Sequence, residues 1–392
     1  MNQPIRVLEL RSVRGIGGGP EKTILLGAAR SDPHKVAVTV CYLRDARDGV
    51  FEIGARAREM GIDYVEVSER HSLDPAIWPA LLRIVRERRI DIVHAHEYKT
   101  DLLALALARA TGAVPLSTVH GWIYDTWRER QIYHPLDKRL LRWFPRVIAV
   151  CAEIRDILIQ SGARAARITT LLNGIDPQRF RRDRGASGAV RQELGLEPGE
   201  IAIGAVGRLE PVKRFDVLID AFAKAYEQHR HLRLFIVGDG SMRAELAAQA
   251  AQLGIDAVVH FLGHRHDVIR LHHAFDLFAQ SSDHEGTPNS VLEAMALETP
   301  IVATAAGGTA EIVAADREGI VVPCGDVRAL ARGIEDTLTD VGGARERAVR
   351  ARHRVETTLS FSQRLATVER IYLELAARRT RRVKPGVTEE WA

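Results

Sequence analysis

Two carboxylates, Glu285 and Glu293, lie eight positions apart in the segment 281–296. Paired carboxylates could serve as the general acid and general base of a catalytic site. The preceding segment 271–280 alternates apolar and polar residues and predicts a buried strand. Because parallel α/β sheets bind their ligands at the carboxyl ends of strands, the loop that carries Glu285 is a candidate site.

The residues after Glu285 predict the start of a helix. Gly286 and Pro288 interrupt the strand, and Ser290-Val-Leu-Glu293 has the form of a capping box, with Glu293 in the first helical turn. A structural interpretation stays open from this segment alone. Glu293 would then only accept the backbone N–H of Ser290, and Glu285 would be a solvated loop charge.

Cations and free amides elsewhere in the carboxyl half point to a phosphate ligand. The predicted strand 201–206 runs into a loop with Arg208, Lys213 and Arg214. Arginine can bind phosphate oxygens in pairs and lysine acts as a point charge, so this loop could neutralise a diphosphate without a metal. The backbone amides of residues 289–291 would form a helix N-terminus open to anions.

Glycine turns follow several of the predicted strands. Gly238 and the Gly263–His264 pair could bring backbone polar groups close to a flat base. In the amino half, Gly17-Gly18-Gly19 could approach phosphate oxygens at the start of a helix, although it matches neither the dinucleotide fingerprint nor the Walker loop. A plain tight turn is the alternative there, and Asn173-Gly174 also predicts a turn rather than a ligand site.

The motifs together resemble, in order and spacing, the family 4 retaining glycosyltransferases. The likeness is carried by GRLEPVKRFDVLIDAF, VGDG, FLGHRHDV, the Glu285–Glu293 segment and Gly307-Gly-Thr-Ala-Glu311, and in the amino half by GGGPE, HAH, TVHG and LLNGID. The resemblance implies the α/β fold called GT-B. This fold has two Rossmann-like, doubly wound parallel-sheet domains facing across a cleft, and its C-terminal helix packs back on the N-terminal domain.

By this resemblance the protein would move a sugar from a nucleotide-diphosphate sugar, such as a UDP- or GDP-sugar, to a hydroxyl acceptor. The anomeric configuration would be retained, usually by front-face displacement, in which the leaving phosphate assists deprotonation of the acceptor. No protein nucleophile is then needed, and Glu285 is not expected to be one. The acceptor would be a glycan or a lipid-linked glycan of cell-surface polysaccharide or glycolipid synthesis.

The resemblance also assigns roles to single residues. Arg208 and Lys213 would hold the diphosphate and stabilise the departing nucleotide. Glu293 would bind the ribose hydroxyls, Glu285 would face the donor sugar, and His120 would reach the sugar or the phosphate. The remaining donor contacts would come from Gly17, Gly18, Gly238, His264, Gly286, Thr287, Pro288, Asn289, Ser290 and Val291, and Glu311 joins the site on the same grounds.

The alternation of predicted strands and helices indicates two domains, as 392 residues exceed one ordinary core. We expect an N-terminal acceptor-binding domain over residues 1–180 and a linker over 181–199. A C-terminal donor-binding domain would follow over 200–360. A final helix, predicted from residue 361, would return to the first domain, which residues 361–392 complete.

The alternative classes of function are an epimerase, a non-catalytic binding protein and an oxidoreductase. A nucleotide-sugar epimerase of the same fold would turn over without an acceptor, and a non-catalytic sugar-nucleotide binding protein would have kept only the fold. A nicotinamide oxidoreductase is disfavoured by the failed fingerprint. His94 and His96 could be a metal pair, but the sequence offers no obvious third ligand, and no Asp-x-Asp pair is present. We therefore expect neither a metal nor another cofactor.

The composition bears on the partners and the cellular location of the protein. A net charge of +4 with 27% charged residues gives no indication of a nucleic-acid partner, and no apolar run approaches about 20 residues. Scattered cysteines and the lack of a visible secretory signal favour the cytoplasm. Basic and aromatic residues alternate over 138–146, which is compatible with a peripheral contact at the inner face of a membrane or with an ordinary solvated helix face. Acceptor determinants are expected in 121–135.

Overall fold

The protein was analysed as a computed structural model. It describes residues 3–15, 17–71, 74–122 and 127–383, with the side chains of 129–130 and 380–383 excepted. The chain divides into two compact units, the first comprising residues 1–171 and 364–392 and the second residues 172–363.

The first unit contains a seven-stranded parallel sheet with the strand order β3-β2-β1-β4-β5-β6-β7. The order reverses between β1 and β4, which makes their carboxyl ends the topological switch point of this sheet. The strands are β1 (Ile5–Ser12), β2 (Val36–Asp45), β3 (Tyr64–Glu69), β4 (Ile92–Ala95), β5 (Val114–Val119), β6 (Val147–Ala149) and β7 (Ile168–Thr170).

Helices connect these strands, as parallel pairing requires. They are α1 (Gly19–Arg30), α2 (Ile53–Glu59), α3 (Ile77–Glu87), α4 (Tyr98–Thr111), α5 (His134–Leu140) and α6 (Ala152–Gln160). A π-helix over Glu129–Tyr133 leads into α5, and a 3₁₀ turn over Leu141–Trp143 follows it. All four residues of β4 are buried, as expected for a strand in a parallel sheet covered on both faces.

The second unit contains a six-stranded parallel sheet with the order β10-β9-β8-β11-β12-β13 and a switch point between β8 and β11. The strands are β8 (Ile201–Val206), β9 (Leu232–Val237), β10 (Val259–Gly263), β11 (Leu277–Gln280), β12 (Ile301–Thr304) and β13 (Ile320–Val322). The helices are α7 (Ser187–Glu193), α8 (Phe215–Gln228), α9 (Arg243–Gln252), α10 (Val268–His272), α11 (Asn289–Ala296), α12 (Thr309–Ile312), α13 (Val327–Thr339) and α14 (Val341–Thr357).

The last helix, α15 (Phe361–Val383), joins the first unit from Arg364 onward. Its Val368, Ile371 and Tyr372 belong to one buried cluster with apolar residues of β1, β4, β5 and β6. The predicted two-domain architecture and the return of the final helix to the N-terminal domain are thus confirmed.

The boundaries differ from the predicted ones at residues 180 and 360. The segment 181–199, predicted as a linker, is part of the second unit. Val190 of α7 is buried in one cluster with Phe235 of β9. The Arg182 guanidinium donates to the carbonyl oxygens of His273, Phe275 and Leu297. These contacts anchor a segment whose Arg- and Gly-rich composition resembles that of a connector.

Within the described residues, no helix combines the length and the apolar content needed to span a membrane.

Candidate active site

Two loops meet at the switch point of the second sheet. One follows β8 and the other follows β11, and these strands are neighbours. The Ser281 hydroxyl donates to the Lys213 carbonyl oxygen at 2.9 Å, and the Asp283 N–H donates to the Val212 carbonyl oxygen at 3.0 Å. The loop that carries the predicted cations is therefore bonded directly to the loop that carries Glu285.

Glu285 and Lys213 form an ion pair across these loops. The Lys213 Nζ atom lies 2.6 Å from Glu285 Oε1, and both side chains are largely buried. The same oxygen accepts hydrogen bonds from Ser282 Oγ at 2.7 Å and from Gln280 Nε2 at 3.2 Å. The carboxylate is thus held by three donors in a fixed position, which suits a binding group better than a mobile proton carrier.

The other two cations of the loop differ from each other. Arg208 is exposed, and its guanidinium makes no hydrogen bond or ion pair within the described part of the chain. Arg214 bonds to Asp216, and its Nη1 lies 2.8 Å from Asp283 Oδ2. The hydrogen bonds to Asp216, and to a smaller extent the one to Asp283, raise the pKa of Arg214. Arg208 is therefore available to a ligand, whereas Arg214 is already neutralised.

The helix after the Glu285 loop begins two residues earlier than the capping box requires, because its N-cap is Pro288 and not Ser290, so that prediction is wrong. Pro288 is extended, with φ −71° and ψ 113°, and its carbonyl oxygen accepts the first helical hydrogen bond from the Leu292 N–H. Ser290 therefore lies inside α11 and does not cap it. Glu293 lies in the second turn, where it is only 3% exposed.

The predicted anion-binding amides are nevertheless at the helix start. Asn289, Ser290 and Val291 are the first three residues of α11, and the N–H groups of such residues have no partner within a helix. The loop before them is held in place from β12, because the Gly308 N–H donates to the Gly286 carbonyl oxygen at 2.8 Å. Glu311 lies in the short helix α12, and its carbonyl oxygen accepts from Arg354 at 2.6 Å.

Asn173 supports this helix start, a function that the sequence reading missed. Its backbone N–H donates to Thr287 Oγ1 at 3.1 Å, and its Nδ2 donates to the Thr287 carbonyl oxygen at 3.2 Å and to Asn289 Oδ1 at 3.4 Å. Its own Oδ1 is buried without a partner among the described residues. The Asn-Gly pair predicts only a turn, because the 114 positions that separate Asn173 from Thr287 leave no signal of this contact in the sequence.

The glycine turns after β8, β9 and β10 are bonded to one another. The Gly207 N–H donates to the Val237 carbonyl oxygen, and the Gly238 N–H donates to the Gly263 carbonyl oxygen at 2.8 Å. Gly238 has φ +142°, and a Cβ there would lie 1.9 Å from the Gly207 carbonyl oxygen, so only glycine fits. His264 follows this turn, exposed, with its ring 4.7 Å from that of His266.

In the first unit, the glycine loop precedes α1, with Ile16 outside the described residues. Gly17 has φ +74°, and a Cβ there would lie 2.5 Å from Glu21 Cγ. The buried Glu21 accepts the Gly18 N–H at 2.6 Å and pairs with Arg11. Pro20 and Glu21 lie in the first helical turn as predicted, but the Gly18 amide already has an acceptor.

His120 follows β5 and connects to a buried polar cluster at the switch point of the first sheet. His120 Nε2 lies 3.1 Å from His96 Nδ1, and the other His96 nitrogen bonds to Glu9. Tyr372 of α15 donates to Glu9 Oε1 at 2.7 Å and lies 2.7 Å from His94 Nδ1. Glu9, His94 and His96 are close enough to share a metal. The third potential ligand that the sequence did not reveal is therefore Glu9, on β1.

The cluster is complete as a hydrogen-bonded network. His94 Nε2 lies 2.7 Å from Thr118 Oγ1, so each ring nitrogen of His94 and His96 already has a partner. Burial lowers the pKa of His96 to about 4 and that of His120 well below its ordinary value. Burial opposes ionisation of Glu9, but His94 and His96 outweigh it and lower the pKa of that carboxyl.

The predicted acceptor segment 121–135 is described only in part, because residues 123–126 lie outside the described residues. Trp122 donates its indole N–H to Asp137 Oδ2 at 3.0 Å. The Lys138 ammonium lies 4.6 Å from the centre of the Trp122 ring.

Comparison with known proteins assigns the family. Residues 17–179 match the model of Glycosyltransferase Family 4, and residues 187–354 match that of Glycosyl transferases group 1. The chain is 30% identical over 308 residues to glycogen synthase of Mycobacterium tuberculosis, covering 76% of this chain and 71% of that protein. The chain belongs to glycosyltransferase family 4.

Further relatives of this glycosyltransferase agree. The D-inositol 3-phosphate glycosyltransferase of Mycobacterium marinum is 31% identical, with 76% of this chain and 67% of that protein covered. The putative glycosyltransferase EpsD of Bacillus subtilis is 28% identical, with coverages of 79% and 86%. The chain is therefore an enzyme that transfers glycosyl groups from nucleotide sugars, and the epimerase and binding-protein alternatives are not favoured.

Solved structures share the fold of the glycosyltransferase. Alr3699/HepE of Anabaena in complex with UDP-glucose has a TM-score of 0.82 at 23% identity, with 95% of this chain and all of that chain covered. Sucrose-phosphate synthase of Thermosynechococcus elongatus has a TM-score of 0.78 at 19% identity, with coverages of 95% and 100%. The predicted GT-B fold is confirmed.

Proposed function

We propose that this enzyme transfers a sugar from a UDP-sugar to a hydroxyl group of a glycan or lipid-linked acceptor, with retention of configuration. The observation that carries the proposal is the junction of the β8 and β11 loops. It combines the exposed Arg208, the Lys213–Glu285 pair and the first amides of α11 at one switch point. The fold likeness to a protein solved with UDP-glucose supports the choice of nucleotide.

The proposed roles in the second unit follow the family resemblance. Arg208 and Lys213 bind the diphosphate and stabilise the charge that develops on the leaving nucleotide. Glu285, which is fixed by Lys213, faces the sugar, and Glu293 binds the ribose hydroxyls. The other contacts of this unit are Gly238, His264, Gly286, Thr287, Pro288, Asn289, Ser290 and Val291.

From the first unit we assign Gly17, Gly18 and His120 to donor binding, also by resemblance. Because the Gly18 amide already donates to Glu21, its contact with a phosphate would have to replace or share that hydrogen bond. The Gly17 N–H makes no hydrogen bond within the described residues, so Gly17 is the better candidate of the two.

Neither a metal nor another cofactor is part of the proposal. An arginine, a lysine and helix amides together can neutralise the two charges of a diphosphate, so the leaving group needs no cation from solution. Leaving-group assistance likewise requires no protein nucleophile.

We place the enzyme in the cytoplasm, in peripheral contact with the inner face of the membrane. The support is a surface that we call the Trp127–Trp143 surface. Trp127 and Trp143 are 69% and 64% exposed. Its other members are the exposed Ile132, Leu136, Arg128, Arg139 and Arg142. Exposed aromatic and basic side chains on one segment suit an anionic lipid surface, where lipid-linked acceptors are found.

A donor panel tests the proposed function. The enzyme is incubated with UDP-, GDP-, ADP- and dTDP-sugars, and release of free nucleotide is measured together with melting temperature. We expect one or more UDP-sugars to stabilise the protein and to release UDP. A response confined to another base would overturn the UDP assignment, and conversion to another nucleotide sugar without release would overturn transfer itself.

A further inference from the structure

His120 is the end of a chain of hydrogen bonds that begins at Glu9. His96 connects the two, with one ring nitrogen bonded to Glu9 Oε2 and the other 3.1 Å from His120 Nε2. Tyr372 donates its hydroxyl hydrogen to the second oxygen of Glu9 at 2.7 Å. Because neutral imidazole has one donor nitrogen and one acceptor nitrogen, the direction of each bond determines the next.

Glu9 determines the direction of the hydrogen bonds in this chain. An ionised carboxylate only accepts hydrogen bonds, so His96 Nε2 must carry a hydrogen. His96 is neutral, since burial lowers its pKa to about 4, and its Nδ1 is therefore a lone pair. A lone pair cannot donate to His120, so His120 Nε2 must donate to His96 Nδ1.

The same reasoning shows whether His120 Nδ1, the remaining ring nitrogen, carries a hydrogen. His120 is neutral because burial lowers its pKa well below its ordinary value. With its hydrogen on Nε2, His120 has a lone pair on Nδ1. This nitrogen makes no hydrogen bond to any residue that the structure describes, and the ring is only partly buried.

We propose that Glu9, acting through His96, is a positioning residue that fixes His120 in the tautomer with hydrogen on Nε2. His120 Nδ1 then accepts a hydrogen bond from a hydroxyl group of the sugar. A diphosphate oxygen has no hydrogen to donate at neutral pH, so this tautomer selects the sugar and not the phosphate as the partner of His120. The assignment of a sugar partner rests on the proposed function.

Glu9 itself cannot contact a substrate. It is 9% exposed, and the cavity that it lines with His94, His96, Arg364 and Tyr372 has a volume of only about 20 Å³. That volume accommodates about one water molecule and no sugar. The influence of Glu9 on a ligand must therefore pass through the His96 ring.

The opposite branch of the network provides a matched control. Thr118 Oγ1 bonds to His94 Nε2 and makes no hydrogen bond to His96 or His120 among the described residues. Thr118→Val keeps the shape of the side chain and removes that hydrogen bond. It therefore disturbs the same buried cluster without changing the direction of the Glu9–His96–His120 chain.

The tautomer can be measured directly in the full chain. With ¹⁵N-labelled histidine, the imidazole nitrogen shifts of His120 are identified by their loss in His120→Gln. We expect hydrogen on Nε2 and a lone pair on Nδ1 in the wild type and in Thr118→Val. In Glu9→Gln the amide can donate to His96 Nε2 and reverse the chain, so His120 should acquire the Nδ1–H form.

A kinetic comparison separates positioning from structural damage. For Glu9→Gln we expect kcat/KM with a UDP-sugar to fall at least about fivefold, as for loss of one neutral hydrogen bond. The affinity for UDP alone, which lacks the transferred sugar, should stay within about twofold by the same reasoning. Thr118→Val should show neither change.

The proposal is overturned by hydrogen on Nδ1 of wild-type His120, by an unchanged tautomer in Glu9→Gln, or by an equal loss of UDP affinity in that variant. If Glu9→Gln does not fold, the tautomer of His120 in the wild-type spectrum still tests the proposal. The tautomer measurement uses no sugar nucleotide, so failure of the UDP-sugar assignment would be seen separately.

Discussion

Lys213 and Glu285, 72 positions apart in sequence, form an ion pair with Nζ and Oε1 separated by 2.6 Å. Lysine has a long, flexible side chain, and this contact restricts it to one orientation at the switch point of the second sheet. The two residues that the family resemblance assigns separately, one to phosphate and one to sugar, are thus a single unit. A diphosphate that binds Lys213 must compete with Glu285 or share the ammonium with it.

The Lys213–Glu285 unit leads to a prediction for catalysis. Lys213→Ala should lower kcat/KM by at least tenfold, about 1.4 kcal/mol of transition-state stabilisation, because the charge on the leaving phosphate loses a cation. The measurement is steady-state UDP release. Lys224→Ala, which removes an exposed lysine of α8, is the matched control and should retain wild-type rates. Full activity of Lys213→Ala would remove Lys213 from the site.

Metal dependence is the second prediction. We expect transfer to continue at an unchanged rate in excess EDTA, since Arg208, Lys213 and the α11 amides supply the positive potential. Turnover is compared with and without chelator, before and after added Mg²⁺ or Mn²⁺. Loss of activity in EDTA with recovery on adding metal would contradict the proposed cationic site.

The third prediction concerns pH and two buried carboxyls. Burial raises the pKa of Asp137 to about 6, and burial with repulsion from Asp137 raises that of Asp101. A carboxyl whose pKa is raised in the folded state contributes its full stabilisation at pH values below its unfolded-state pKa. That stabilisation is lost as the pH rises through its folded-state pKa. For Asp137 this window runs from about pH 4 to above pH 6.

Asp101→Asn removes one of these groups and its repulsion. The variant should therefore gain melting temperature relative to the wild type at pH 8, and gain less or none at pH 4.5. The exposed Asp156→Asn on α6 serves as the control and should show no such difference between the two pH values. A pH-independent effect of Asp101→Asn would show that repulsion between the carboxyls does not matter.

Asn173 gives a fourth prediction, for the helix α11 that we propose to bind the donor. Asn173→Asp keeps the shape but places an oxygen against the Thr287 carbonyl oxygen and Asn289 Oδ1. We expect the free energy of unfolding to fall by about 2 kcal/mol and KM for the donor to rise. Urea denaturation and donor kinetics measure these effects, with the exposed Gln178→Ala as control. Unchanged KM in a destabilised protein would restrict Asn173 to folding.

The fifth prediction tests the Trp127–Trp143 surface. The double variant Trp127→Ser/Trp143→Ser should lose co-sedimentation with vesicles that contain anionic lipid, since it loses the most exposed aromatic groups of the segment. Val341→Ser/Val349→Ser changes exposed apolar residues of the second unit and should bind vesicles normally. Binding of wild type and both variants to the same extent, or of none, would contradict the membrane contact.

Local pattern determined much of the fold. Strand β8 has the predicted bounds, and strand β11 ends at Gln280, where the predicted segment 271–280 ends, because polar or glycine residues follow the apolar ones there. Helices α13 and α14 and strand β7 were not predicted. The predicted capping box at Ser290 is absent because the N-cap is Pro288, two residues earlier, and this position depends on the loop conformation before the helix.

The sequence by itself determined which chemical groups are present and on which strand ends they lie. It therefore predicted the family by resemblance, the two parallel sheets and the loops that carry the candidate site residues, since the loops after parallel strands lie at one edge of a sheet. Only the tertiary structure decided which groups touch. Sheet order brings Glu9 to His96 over 87 positions and Lys213 to Glu285 over 72, and such separations leave no periodic signal in a sequence.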